Sequence, residues 1–221
     1  MSIVGYIRIL EGTPKAMNPY NKYVMPHIIN LACGAKPIVK QRQKIVPQAR
    51  GRVLEVGMGS GLNIPFYDSK KVDFVWGLEP SLEIRQLAAE RVKQAAFDIK
   101  FIDLPGEKIP LEDNSVDTIV LTYTLCTIPD ADAALQQMRR VLKPDGKMLF
   151  CEHGEAPDLH VRRWQDRVNP LWKSLCGGCN LNRSIPQLIE KNGFNIGNLE
   201  QQYLAGTPKF AGYNYWGEAS K

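Results

Sequence analysis

Three glycines at alternate positions, directly after a short apolar segment, constrain this chain more than any other feature. Val53 to Val56 has apolar residues at three of its four positions and an acid, Glu55, at the third, which is typical of a short buried strand. The glycines that follow are Gly57, Gly59 and Gly61. Such a run permits positive φ and a close approach of the backbone to a ligand. We expect a helix from about Leu62, with its free N–H groups facing that ligand. The pattern therefore predicts the first β–loop–α unit of a doubly wound sheet, whose crevice binds nucleotides.

The spacing of the glycines narrows the choice of ligand. Leu62 stands where the dinucleotide fingerprint requires its third glycine, and no lysine follows Gly61 as a phosphate-binding loop would require. The remaining pattern, acid-x-Gly-x-Gly-x-Gly, resembles motif I of the class I S-adenosylmethionine-dependent methyltransferases. That cofactor carries a free amine and a carboxylate. Glu55 can face its ammonium group while the N–H groups of the loop face its carboxylate.

The next predicted strand, Phe74 to Glu79, ends in a second acid. A carboxylate at the end of the second strand can accept hydrogen bonds from both ribose hydroxyls of a nucleotide. Glu79 could also be the N-terminal charge of the helix that begins after Pro80 and Ser81. The order of strand, glycine loop, helix, strand and acid favours the first interpretation, so Glu79 and Pro80 are candidate cofactor contacts.

Composition sets wider bounds. The 221 residues suit one α/β domain with an appendage, and the net charge of +5 without a basic block predicts no nucleic-acid partner. Five scattered cysteines favour a reducing compartment. No apolar run is long enough to span a bilayer, and the N-terminus lacks the marks of a signal peptide. We therefore expect a cytoplasmic protein whose contact with membranes is at most peripheral.

Apolar periodicity indicates helices in an N-terminal extension, residues 1–48, and the resemblance implies that residues 49–221 form a methyltransferase domain. The extension should contain helices from Asn18 to Cys33 and from Pro37 to Gln48. It could form a lid or substrate wall, or pack as an ordinary extension. Beyond the first two strands, we expect helices over 81–96, 130–142, 160–175 and 184–191, strands over 99–104, 118–123 and 148–151, and a two-stranded hairpin within 195–217.

Further motifs extend the resemblance to the methyltransferases. The segment Pro110 to Asp117 resembles motif II of the family, and Leu142 to Lys147 resembles the turn before its fifth strand. The resemblance implies an α/β fold with a doubly wound, seven-stranded Rossmann-like sheet that ends in an antiparallel hairpin. It also implies S-adenosylmethionine as cofactor, with Glu107 near the adenine and Thr122 near the transferred methyl. The Asn/Asp-Pro-Pro-aromatic tetrad that orients a planar amine is absent, which disfavours methylation of nucleic-acid amines.

A narrower resemblance covers about residues 45 to 218. The pair Glu152-His153, the segments 163–170 and 178–183, and the terminal segment 212–217 are similar to the methyltransferase-like alkyl thiol S-methyltransferases and their bacterial relatives. This resemblance implies a set of acceptor-binding residues, which are Tyr123, Cys126, Asn180 and Arg183. Three aromatic residues would supply apolar walls for a lipophilic acceptor, with ordinary core packing as the alternative for each, and they are Trp164, Trp172 and Tyr213. His153 is the candidate general base because of its titration range, although a hydrogen-bonded histidine at a strand end is an equal alternative.

The predicted function is methyl transfer to a small, lipophilic acceptor, most simply a thiol, since a thiol is partly ionised at neutral pH and needs no strong base. Two alternatives stay open at this point. One is a C- or N-methyltransferase for a quinone precursor or a phospholipid headgroup, and the other is a cofactor-binding protein without catalysis. The pair Cys176-x-x-Cys179 lacks a second pair and a histidine nearby in sequence, so we expect structural thiols and no metal.

Overall fold

A single seven-stranded sheet carries the site. The computed structural model describes residues 19–221, and the strands lie in the order β3-β2-β1-β4-β5-β7-β6. Strand β7 is antiparallel to both neighbours, and the other neighbouring pairs are parallel. The strands are β1 (Gly51–Val56), β2 (Val72–Leu78), β3 (Asp98–Ile102), β4 (Val116–Thr122), β5 (Leu142–His153), β6 (Asn195–Tyr203) and β7 (Tyr213–Ser220). The predicted fold class, including the antiparallel hairpin at the end, is confirmed.

Helices cover both faces of the sheet. They are α1 (Met25–Cys33), α2 (Lys36–Ile45), α3 (Leu82–Gln94), α4 (Ala131–Val141), α5 (Leu159–Leu175), α6 (Ile185–Lys191) and the single turn α7 (Lys209–Gly212). A π-helical turn, Tyr20–Val24, precedes α1, and Pro26 lies in the first turn of α1, where a missing N–H costs no helical hydrogen bond. The predicted start of this helix at Asn18, like residues 1–16, lies outside the described residues. Within residues 19–221, no helix combines the length and the apolar character needed to cross a bilayer.

The prediction of a helix from about Leu62 is wrong. Turns occupy this segment, followed by the short 3₁₀ helix Ile64–Phe66. Pro65 has no N–H group to donate the first hydrogen bond, to the carbonyl of Gly61, that a helix from Leu62 would need. Among the described residues, no helix begins directly after β1, so the loop itself provides the polar groups at this point.

Side chains alternate between two apolar layers. From β4, Ile119 and Leu121 point towards α4, whereas Val120 points to the opposite face. That opposite layer also contains Ile45 and Val46 from the end of α2. The second predicted helix of the extension thus shares a core with the sheet.

The direction of the chain reverses between β1 and β4. The chain proceeds outward from β1 to β2 and β3, then returns to the other side of β1 as β4. In doubly wound sheets, such a reversal opens a crevice at the carboxyl ends of the two strands. The glycine loop after β1 and the loop after β4 meet there.

Candidate functional site

The glycine loop has the backbone that only glycine adopts easily. Gly57, Gly59 and Gly61 have φ values of +70°, +58° and +75°. A β-carbon on Gly57 would lie 2.3 Å from the side chain of Thr124, so the two loops touch at this point. A β-carbon on Gly59 would meet nothing closer than 3.9 Å. Gly57 is therefore needed for packing between the loops, while Gly59 leaves open space for a ligand.

That open space belongs to a cavity of about 300 Å³ at the carboxyl ends of β1, β2 and β4. This volume lies at the lower end of the range for small-molecule sites, ~300–1,000 Å³. The cavity is bounded by the glycine loop, the segments after β2, β3 and β4, and the first helix. The residues that α1 contributes to its wall are Met25, Ile29, Asn30 and Cys33. The hydroxyl of Ser60 donates a 2.6 Å hydrogen bond to Asn30 Oδ1, which ties α1 to the glycine loop.

Glu79 lies at the end of β2, in the wall of the cavity. One carboxylate oxygen accepts a hydrogen bond from Gly59 N at 3.1 Å, and the other accepts one from Ser81 N at 2.9 Å. Burial raises the pKa of Glu79, because a charge with 8% exposure has lost most of its hydration. Glu79 thus contacts the start of α3 as well as the cavity, and both sequence-based interpretations describe part of its environment.

Arg42 is the main functional residue that the sequence analysis did not identify. It comes from α2, is 4% exposed, and lies in the cavity wall. Its guanidinium donates hydrogen bonds to Asn63 Oδ1 at 2.8 Å and Thr122 Oγ1 at 2.6 Å. Its Nε is buried without a hydrogen-bond partner among the described residues. A basic residue between Ile38 and Ile45, on the buried face of an otherwise polar helix, was the available signal.

Glu55 lies behind the glycine loop rather than in the cavity wall. Its carboxylate accepts hydrogen bonds from Asn63 Nδ2 at 2.9 Å and from the hydroxyl of Tyr67 at 2.7 Å. Burial raises the pKa of Glu55 to about 7, against the opposing effects of Tyr67, Arg42 and Asn63. Because both oxygens bond to the protein, Glu55 supports the loop from below, and the ammonium contact expected for it stays a prediction.

The loop after β4 forms the opposite wall of the cavity. Tyr123, with a φ of +54°, turns the chain sharply at the end of the strand. The buried carboxylate of Glu152 accepts hydrogen bonds from three consecutive N–H groups, those of Thr124 (2.7 Å), Leu125 (3.0 Å) and Cys126 (3.4 Å). One side chain of β5 thus fixes the loop that faces the cavity.

The segment 179–183 holds the same loop from outside. Asn180 Nδ2 donates a 2.8 Å hydrogen bond to the carbonyl of Cys126. Arg183 donates from Nη1 to the carbonyls of Leu125 and Ile128. Both residues were predicted to bind the acceptor. In the structure they bond to backbone carbonyls, and neither lies in the cavity wall.

His153 ends β5 in contact with two other side chains. Its Nε2 lies 3.1 Å from Cys179 Sγ, and Cys179 Sγ in turn lies 3.8 Å from Cys126 Sγ. The ring stacks on Tyr123, with 6.4 Å between the ring centroids. Burial lowers the pKa of His153 and the adjacent Cys179 raises it, with a net upward shift. The sequence-based reason against a metal, the lack of a nearby histidine, therefore fails in three dimensions.

The predicted site residues separate into three groups. Those in the cavity wall are Gly57, Gly59, Glu79, Pro80, Glu107, Thr122 and Tyr123. Those packed directly behind the wall, or holding the loops that form it, are Glu55, Gly61, Cys126, His153, Asn180 and Arg183.

The three predicted apolar walls form the last group, away from the cavity. Trp172 donates its N–H to Cys179 Sγ at 3.4 Å, and Tyr213 packs edge-on against Tyr203 and Tyr215. Trp164 is 59% exposed on the surface of α5. The sequence pattern correctly placed the two tryptophans on a helix and Tyr213 on a strand, but it could not show which faces of those elements are turned away from the cavity.

Comparisons with known proteins agree with this geometry. Residues 54–150 match the family described as "Methyltransferase domain". The thiol S-methyltransferase TMT1B of Rattus norvegicus is 36% identical over 156 residues, which are 68% of this chain and 62% of that protein. The thiol S-methyltransferase TMT1A of Homo sapiens is 32% identical over 163 residues, 72% of this chain and 65% of that protein. The chain thus spans less than two thirds of the length of either relative.

Solved structures share the fold at lower identity. An S-adenosylmethionine-dependent methyltransferase from Thermotoga maritima, described as a possible histamine N-methyltransferase, superposes with a TM-score of 0.62 at 20% identity. The match covers 91% of this chain and 97% of that one. At this identity the likeness shows the architecture alone.

The raised pKa of Glu55 predicts a specific dependence of stability on pH. Between its unfolded value, ~4.3, and about 7, the folded protein holds a proton that the unfolded chain has lost, so stability should fall as pH rises through this window. Glu55→Gln removes the titration and can keep both hydrogen bonds. We expect the variant to be more stable than the wild type by on the order of 3–4 kcal/mol at pH 8 and about equally stable at pH 4. Urea unfolding at both pH values measures this difference. A variant that is less stable than the wild type at pH 8 but equally stable at pH 4 would contradict the raised pKa of Glu55.

Proposed function

We propose that this chain is a methyltransferase that uses S-adenosylmethionine, that it methylates a small lipophilic acceptor, and that the acceptor is a thiol. The observation that carries the proposal is the cavity between the glycine loop and the loop after β4. Its polar groups match the parts of the cofactor, and its remaining wall is largely apolar. The cofactor supplies an electrophilic sulfonium methyl when it is bound.

Three side chains in the cavity wall fit the polar parts of S-adenosylmethionine. Glu107 Oε2 is buried without a hydrogen-bond partner among the described residues, so it can accept from the exocyclic amine of adenine. Glu79 can accept from the ribose hydroxyls once its bond to Gly59 rearranges. The unpaired Nε of Arg42 can donate to the carboxylate of the methionine moiety.

The acceptor side of the cavity supports a thiol more than an amine. Met25 and Ile29 from α1 and Ile128 from the loop after β4 are apolar parts of the wall, and they would exclude water from a lipophilic acceptor. A thiol, with a pKa near ~8.5, is partly ionised at neutral pH and needs only orientation. Both curated relatives described above are thiol S-methyltransferases, which supports the same choice.

His153 remains a candidate base with a restricted geometry. It lies behind Tyr123, and its Nε2 contacts Cys179 instead of the cavity. Proton removal from an acceptor would therefore need the tyrosine ring to move. A thiol acceptor does not require this step, because its proton can leave to solvent before binding.

The first prediction for this function concerns Gly59. Replacement by valine puts a branched side chain into the open space beside the loop, so we expect cofactor binding to become at least about 100-fold weaker in a protein that still folds. The strain of a positive φ costs ~1–2 kcal/mol of stability. Gly206→Val is the matched control, because Gly206 has a φ of +79° and no atom lies within 4 Å of the position that its β-carbon would take. Calorimetric titration with S-adenosylmethionine should show wild-type affinity in the control only.

A second prediction concerns Glu79. Loss of a charged acceptor for two hydroxyls should weaken cofactor binding by about 30–150-fold, equivalent to ~2–3 kcal/mol. Glu79→Ala is compared with Glu90→Ala, since Glu90 is an exposed acid on α3 whose ion pair is with Lys93. Affinity of Glu79→Ala within a factor of two of the wild type, in a folded protein, would remove Glu79 from the ribose site.

The acceptor is tested by transfer of a labelled methyl group. The wild-type protein is incubated with radiolabelled cofactor and a panel of lipophilic thiols, a demethylated quinone precursor and phosphatidylethanolamine. We expect label on thiols, with a rate that rises with pH as the thiolate forms. If the quinone carbon or the lipid amine is labelled and no thiol is, the proposed thiol acceptor is wrong and the labelled compound identifies the acceptor class. Cofactor binding without any transfer would indicate a binding protein.

A further inference from the structure

The cluster formed by Cys126, His153 and Cys179 is not needed for the proposed transfer to a thiol. Its members come from three separate parts of the chain, which are the loop after β4, the end of β5 and the segment after α5. Cys126 is 2% exposed, and the other two residues are half-buried. Their ligand atoms, two sulfurs and one imidazole nitrogen, all lie within 4.8 Å of one another. Three elements of the fold bring soft metal ligands together here.

The distances are close to those of a tetrahedral metal site. Two sulfurs bound to one Zn²⁺ at ~2.3 Å, with tetrahedral angles, lie about 3.8 Å apart. Cys126 Sγ and Cys179 Sγ lie 3.8 Å apart. A sulfur and an imidazole nitrogen on the same ion lie about 3.5 Å apart. The observed distance between Cys179 Sγ and His153 Nε2 is 3.1 Å, so a small shift of either side chain would accommodate an ion.

The surroundings hold two of these ligands in place. The indole N–H of Trp172 donates to Cys179 Sγ, as outer groups do for metal-bound thiolates. The loop that carries Cys126 is fixed by Glu152 through the N–H of Cys126 and by Asn180 through its carbonyl. Hydrogen bonds thus hold the Cys179 sulfur and the loop that carries Cys126 within 4.8 Å of the other ligand atoms.

We propose that Cys126, Cys179 and His153 bind a thiophilic divalent cation, Zn²⁺. Thiolate and imidazole ligands favour zinc over magnesium or calcium, which prefer oxygen. Binding releases the thiol protons, so that two thiolates and a neutral imidazole hold the ion. Three protein ligands leave one tetrahedral position for an exogenous ligand, as in catalytic zinc sites. Cys176, the other half of the C-x-x-C pair, lies outside the cluster.

The test uses metal binding to the full 221-residue chain and does not involve methyl transfer. Reduced protein stripped with a chelator is refilled with Co²⁺, and Zn²⁺ affinity is then measured by displacement and by competition with a chromophoric chelator. We expect one Co²⁺ per chain, with the thiolate-to-metal charge transfer and intense d–d absorption of tetrahedral cobalt. Cys126→Ser, Cys179→Ser and His153→Asn should each weaken Zn²⁺ binding by at least roughly 100-fold.

Cys176→Ser is the matched control, and it should keep the wild-type stoichiometry, spectrum and affinity. Thermal unfolding without metal establishes that each variant folds, and added Zn²⁺ should raise the melting temperature of the wild type and of Cys176→Ser only. The proposal is overturned if the wild type binds Zn²⁺ no more tightly than Cys126→Ser, or if its cobalt spectrum is octahedral. A Cys126–Cys179 disulfide in freshly purified, metal-free protein would also overturn it. If Cys176→Ser loses as much Zn²⁺ affinity as Cys126→Ser, then Cys176 is a fourth protein ligand, and the proposed site with one open coordination position is wrong.

Discussion

The hydrogen bonds between Glu152 and three successive N–H groups of the loop after β4 determine much of this site. The loop begins with a tyrosine at positive φ, a conformation that costs free energy unless its surroundings hold it. A buried carboxylate that accepts from Thr124, Leu125 and Cys126 provides that hold, because charge-assisted bonds are stronger than neutral ones. Without it, the N–H groups of Thr124, Leu125 and Cys126, the last two of them buried, would lack this partner. The loop supplies one wall of the cavity and one cysteine of the cluster, so both depend on this carboxylate.

A buried cation joins the N-terminal extension to the sheet in a similar way. Arg42 enters from α2 and bonds to Asn63 in the glycine loop and to Thr122 at the end of β4. Asn63 in turn donates a hydrogen bond from Nδ2 to the carboxylate of Glu55. The two loops that define the crevice and the helix that precedes the first strand thus share one polar network. Displacement of α2 would remove Arg42 and leave the buried Asn63 and Thr122 without this donor, which is costly, so the extension is energetically part of the site.

The segment from Cys179 to Arg183 shows why a motif can mark a family without touching its ligand. Asn180 and Arg183 bond to carbonyls of the loop after β4, more than 50 residues earlier in the chain. Both residues position the loop, because their side chains donate hydrogen bonds to backbone carbonyls that have no partner within such a tight loop. A substitution in this segment would act on the cavity through the loop.

The sequence by itself determined the fold class, most of the elements and the place of the crevice, because apolar periodicity and glycine spacing are local signals. It also placed Glu79 at the end of β2 correctly, since a strand end is defined by the residues next to it. It could not orient side chains whose partners are distant. Glu55 turns to Tyr67 and Asn63 instead of the cavity, and Trp164 faces solvent.

Only the tertiary structure decided what surrounds Arg42, Cys126, His153 and Cys179. Arg42 lies 80 residues from Thr122 in the chain, and Cys126 and Cys179 lie 53 residues apart. The periodicity of a helix or strand carries no information about such pairs. They meet because parallel strands end at the same edge of the sheet, where the loops that follow β1 and β4, the end of β5 and the segment after α5 converge. The physical reason is that local propensity sets the elements, whereas long-range packing sets which side chains share a site.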